Sequence, residues 1–142
     1  MDRLRIDQVD ERDSNWEDSS PRFRVYLHGS GERGTSGWTD TYDVVGADIL
    51  QVIDWAQRQA AGSLTYAVAL VCDDQGPRRE PGRGRGLVWL VGMDGNDPPG
   101  DMGEEMTQRR MLARRAQPVV VPEADRMPAG VPDPYDEGGR AR

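Results

Sequence analysis

Sustained hydrophobic patterning is confined to residues 22–92, where it reads strand, strand, helix, strand, strand. Both flanks are polar and rich in charge, proline or glycine. Five elements with a single helix limit the chain to a small α/β domain of α+β character carrying polar tails. Residues 22–28 alternate: Phe23, Val25 and Leu27 point one way, Arg24 and Tyr26 the other, as in a half-buried strand. Residues 39–45 form a weaker strand with Tyr42 and Val44 on its apolar side. Asp48 with Gln51 three positions on is a capping box, and Gly62 is a helix stop. Between them Ile49, Val52, Ile53, Ala56 and Ala60 lie within an arc of about 100°. Asp54 and Arg58 sit opposite that arc and are expected to face water. Residues 64–71 form a strand rich in apolar residues on both faces, the pattern of a central strand, and residues 86–92 form a fourth strand that is apolar throughout.

A helical crossover sets strands two and three parallel, and hairpins set the other pairs antiparallel. The expectation is a mixed four-stranded sheet in β-β-α-β-β order with one helix on a face. In that arrangement the 29–37 glycine loop and the exit after Gly92 share one end of the sheet. The arginine-rich loop, the helix N-terminus and the entry of the N-terminal arm share the other. Residues 1–21 read as a flexible acidic arm, 22–92 as the compact domain and 93–142 as an acidic Pro/Gly-rich tail. A short helix is expected over 101–116, with Glu105 and Arg109 paired at i,i+4, and no order from Pro128 onward. Val119, Val120 and Val121, set between Pro118 and Pro122, are an apolar segment suited to adding to a sheet edge, its own or a partner's.

Charge argues about partners. The net charge of −7 sits outside the domain: residues 1–20 hold seven acids and three bases, residues 22–92 eight of each, and residues 93–142 ten acids and seven bases. Acidic tails favour a partner with a basic surface and disfavour phosphate backbones. All eighteen basic residues are arginine. This points to a GC-rich, bacterial coding genome, and it strips guanidinium identity of diagnostic weight. With one cysteine, Cys72, neither an internal disulfide nor a cysteine-based zinc site is available. No stretch has the apolar length of a signal core or a spanning helix, so no membrane contact and a cytoplasmic location are expected. A domain of this size buries a modest share of its surface, and self-association, or a tail folding back, would help it.

Chemistry-bearing groups are few. Residues 29–34 have the spacing GxGxxG, but a strand pattern follows where a phosphate-binding turn needs a helix. A His28–Cys72 dyad needs contact at about 3 Å. Those residues end two strands running in opposite directions, which sets them at opposite ends of the sheet. Asp73-Asp74 and the Asp94-to-Asp97 segment read as turns, the second carrying Pro98 where a calcium ligand would stand. No metal, cofactor or catalytic residue is expected.

Three candidate binding surfaces remain. Trp16 with Glu17 and Asp18 in the arm, and Trp38 with Asp40 after the glycine loop, have no local pattern that buries them. Tryptophan beside carboxylates suits an anchor against a basic protein. The competing reading is that Trp16 and Trp38 fold back to complete the core, which Trp89 occupies and Trp55 borders. The loop holding Arg78, Arg79, Arg83 and Arg85 offers an anion- or nucleic-acid-binding alternative. No aromatic interleaves those arginines to stack on bases. The sequence therefore predicts a non-catalytic binding protein of immunity, inhibitor or adaptor type, with a homo-oligomer possible.

Overall fold

The computed structural model describes residues 4–29, 37–73 and 85–133. Four strands, β1 (Arg22–Gly29), β2 (Trp38–Val45), β3 (Thr65–Asp73) and β4 (Arg85–Val91), form one sheet in the order β2-β1-β3-β4. Helix α1 (Ile49–Ala60) joins β2 to β3, and α2 (Met102–Ala113) follows β4. Every neighbouring pair is antiparallel, which corrects the expected mixed sheet. The crossover does return β3 in the direction of β2, but it spans β1, which lies between them and pairs with both. The class is α+β.

The alternation in β1 sets the core. Phe23, Val25 and Leu27 are buried and face α1, together with Tyr66 and Val68 of β3. The helix begins where its sequence dictates. Gln51 N–H donates to Asp48 Oδ1 and Asp48 N–H donates to Gln51 Oε1, both at 3.0 Å. It ends at Ala61 (φ 48°) and Gly62 (φ 78°), two left-handed residues that turn the chain into β3.

Asp54 does not face water: only 8% of it is exposed. The cause is the C-terminal segment, which runs back across the outer side of α1. Met127 N–H donates to Asp54 Oδ2 at 3.0 Å, and Arg58 Nε lies 3.4 Å from the same oxygen. Gln57 meets Val119 as a strand neighbour would, donating to its carbonyl at 3.0 Å and accepting its N–H at 2.6 Å. The valine segment thus lies along a helix and not on a sheet edge, with Val121 buried and Val120 exposed. The segment is ordered past Pro128. Trp55 Nε1 donates to the Pro132 carbonyl at 2.8 Å, Gln59 hydrogen-bonds Asp133, and Met127 and Val131 pack against the core. A groove of about 320 Å³ between this segment, α1 and β2 is lined by Tyr42, Trp55, Met127 and Val131.

Helix α2 forms within the expected range. Asp101 caps it by accepting the Glu104 N–H at 2.8 Å, and Arg109 pairs with Glu105 at 2.8 Å. Met111 alone on it is buried, beside Gly92 and Ala67.

The expectation that Trp89 is core is also corrected. β4 is the last strand of the sheet, and α1 lies over β1 and β3, so Trp89 stays 39% exposed. Its ring meets Tyr26 of β1 at 5.0 Å across β3. The strand between them contributes only Ala67 and Ala69 at this point, and both alanines are fully covered. Small residues on the middle strand let large rings from its two neighbours close over it.

Candidate functional site

The arm, residues 4–20, is exposed throughout. Its one local structure is a single turn, Glu11–Asp13, capped by Asp10. Its apolar side chains find no core: Leu4, Ile6 and Val9 are 69–91% exposed and Trp16 is 79% exposed. Both described arginines of the arm are engaged nearby, Arg5 by Asp7 at 3.0 Å and Arg12 by Asp10 at 2.9 Å. Among the described residues that leaves Glu11, Asp13, Glu17 and Asp18 outside any ion pair, with Trp16 among them. Asp18 also accepts the Ser20 N–H at 2.8 Å, which bends the arm just before it enters β1.

Trp38 is placed differently. It begins β2 opposite Gly29, and its indole lies directly over that glycine. A Cβ on Gly29 would stand 2.2 Å from the ring. Trp38 remains 37% exposed, and Asp40 follows it on the side that Tyr42 and Val44 turn toward the core. The arm joins β1 at Arg22, the far end of the sheet from Trp38. The structure therefore does not bring Trp16, Glu17 and Asp18 together with Trp38 and Asp40 along the sheet. Gly29→Ala is expected to destabilise the domain by about 1–3 kcal/mol through overpacking. A lower denaturant midpoint at unchanged slope in chemical unfolding checks this.

Next to Trp38 the sheet end is closed by a polar corner. His28 is 4% exposed, its Nδ1 lies 3.4 Å from Thr39 Oγ1, and its Nε2 accepts the Gly95 N–H at 3.2 Å. Asn96 ties the corner shut by donating to Thr39 Oγ1 at 2.7 Å. An accepting Nε2 requires the neutral ring with its proton on Nδ1. Burial pushes the imidazole below its usual pKa, opposed by the Asp94 carboxylate 4.0 Å away and a hydrogen bond to the Met93 carbonyl. The group is a base whose folded pKa is depressed. Its contribution to stability is full above about pH 6.5 and is lost as pH falls through the folded value. Thermal melts between pH 7.5 and 5 should show a decline that His28→Gln flattens. His28 thus fastens the 93–97 turn. Cys72 pairs with Gly86 at the opposite end, so the two do not form a dyad.

Of the arginine loop, Arg78, Arg79 and Arg83 lie outside the described residues. Arg85 starts β4 half-exposed, with Nε 3.4 Å from Asp73. A second guanidinium cluster, unmarked in the sequence, stands on the open sheet face. Arg22 and Arg24 both grip Asp43, at 2.6 Å each, and hydrogen bonding from Arg24 above all holds that carboxyl down at about pKa 2. Asp43 offsets one of the two guanidinium charges, and both arginines are committed to it.

The surface that sequence reasoning missed is β4. Leu87, Val88, Trp89 and Leu90 are consecutive and 37–50% exposed. The sequence marks them as a strand apolar throughout and does not fix its place in the sheet. No described helix is long and apolar enough to cross a membrane. Comparison with known proteins returned no matching family model, no matching curated protein and no matching solved structure.

Proposed function

We propose that this chain is a non-catalytic protein-binding protein, of the immunity, inhibitor or adaptor type, that engages a basic partner surface through its acidic arm. The observation that carries this reading is the state of Trp16. The domain closes its core on Phe23, Val25, Leu27, Trp55 and Tyr66 without it, and Trp16 stays 79% exposed among carboxylates that no described arginine pairs. An exposed indole contributes little to a monomer, but as an anchor in a partner's pocket it is the commonest kind of hot spot. The carboxylates around it would steer a basic partner and set register. Trp38 and Asp40, at the other end of the sheet, are the second contact in this reading, with Trp38 already ordered over Gly29. An arm that orders on binding gives up conformational entropy, so the tryptophan must supply much of the affinity.

The test is capture of partners from the native host's lysate on the immobilised chain, with and without nuclease. A single protein recovered in both conditions, and released as salt is raised, supports the arm. Recovery abolished by nuclease would instead move function to Arg78, Arg79, Arg83 and Arg85 as a nucleic-acid-binding loop.

A further inference from the structure

Ion pairing divides the arginines of the chain at α2. Every described arginine from Arg5 to Arg109 lies within 3.4 Å of a carboxylate. Among the described residues Arg110, Arg114, Arg115 and Arg126 pair with none. Acids are in excess in a chain of net charge −7, so these guanidinium groups are unpaired by placement and not by shortage. Three of the four crowd the C-terminal end of α2, where the helix dipole favours positive charge.

Arg115 lines a cavity of about 430 Å³ between α2, the last residues of β1 and the first of β3. That volume lies in the range of about 300–1,000 Å³ usual for small-molecule sites. Met111 and the His28 ring form part of its wall, and Thr65, Gln108 and Arg115 supply polar groups. Thr65 pairs with His28 across the sheet, and its hydroxyl has no hydrogen-bond partner among the described residues. Gln108 Nε2 donates to the Asp97 carbonyl at 2.6 Å, which leaves Oε1 able to accept. Arg115 Nη1 donates to the Ser63 carbonyl at 3.3 Å and so fixes the plane of the guanidinium. Its Nε and Nη2, the side-on pair of donors, have no partner among the described residues. The acids of the neighbouring turn do not fill that role. Asp94 Oδ1 accepts the Asn96 N–H at 3.0 Å and faces His28, and neither Asp94 nor Asp97 lines the cavity.

We infer that this cavity binds a small organic anion, its carboxylate or phosphate held by the Arg115 fork and its hydroxyl groups by Thr65 and Gln108. A planar guanidinium with two parallel N–H groups free matches two oxygens of one oxyanion. A free hydroxyl and a free amide oxygen beside it suit a hydroxyl-bearing body, since each would otherwise lose a hydrogen bond to an apolar one. The cavity lies at the His28 end of β1 and the arm enters at Arg22, the other end. The inference therefore goes beyond the partner-binding reading and stands or falls separately from it.

The test is titration of the full isotope-labelled chain, followed by amide NMR, with gluconate, glucose phosphate and uncharged glucose, ionic strength being held constant with chloride. At least one of the two anions should shift the amides of Ser63, Thr65 and Gly95 saturably, with a Kd of about 1 mM or tighter. The tighter of the two identifies the anionic group, and glucose should leave the same amides in place. Arg115→Gln should weaken binding about 10-fold or more. Thr65→Val, which keeps the shape and removes the hydroxyl, should weaken it about 5-fold. Arg109→Gln, on the same helix but paired with Glu105, should leave it unchanged. The wild-type titration guards against a variant that fails to fold. Amides of the cavity that stay in place up to about 20 mM of both anions overturn the inference. So do equal shifts with glucose, or binding indifferent to Arg115→Gln.

Discussion

Trp55→Ala is expected to lower the stability of the domain by about 3–5 kcal/mol, the range for removing a buried tryptophan. Against a total of about 5–15 kcal/mol for native domains, and toward the low end for one this small, that leaves little folded protein at 37 °C. Three observations set the size of the effect. The side chain is 5% exposed at the centre of the core. Its ring meets Tyr42 edge-on at 5.5 Å, which ties β2 to the helix. Its Nε1–H holds the Pro132 carbonyl, so its loss also loosens the segment that covers Asp54. Trp55→Phe separates these terms: it keeps much of the packing and removes the hydrogen bond, and should cost much less. Urea titrations of both variants, followed by circular dichroism, provide the check.

Much of this was legible in the chain. The alternation of Phe23, Val25 and Leu27, the Asp48–Gln51 capping box and the Gly62 stop are local signals, and each local signal produced the element it implied. The paired direction of β2 and β3 followed from the length of the crossover. Strand order is a non-local matter that periodicity does not encode, so the place of β4 stayed open and Trp89 read as core. Asp54 fails for the same reason. The helix pattern placed it on the outer side correctly, but that side is covered by Met127 and its neighbours, more than seventy positions along the chain. The site was legible in part: Trp16 was singled out for lacking a burying pattern, and the structure leaves it exposed. Trp38 carried the same signature, yet Gly29 offers its ring a seat that only the register of β1 on β2 reveals.

Trp16→Ala is the second large effect, and it should appear in binding alone. At 79% exposure the residue contributes almost nothing to folding, so unfolding midpoints should stay within about 0.5 kcal/mol of wild type. Affinity for the captured partner should fall about 30-fold or more, as for an anchoring tryptophan worth at least ~2 kcal/mol. Glu17→Gln with Asp18→Asn should act mainly on the association rate and its salt dependence. A tryptophan that mattered to folding would move both measurements together.

The role proposed for the acidic arm is partner binding by a non-catalytic protein. The most direct measurement is side-by-side capture from host lysate by the wild-type chain and by the combined Trp16→Ala, Glu17→Gln, Asp18→Asn variant. Nuclease is present, and bound proteins are identified by mass spectrometry. A protein recovered in stoichiometric amount by the wild type and lost from an equally stable variant is the predicted result. The same protein recovered equally by both would contradict the claim and move the binding surface off the arm.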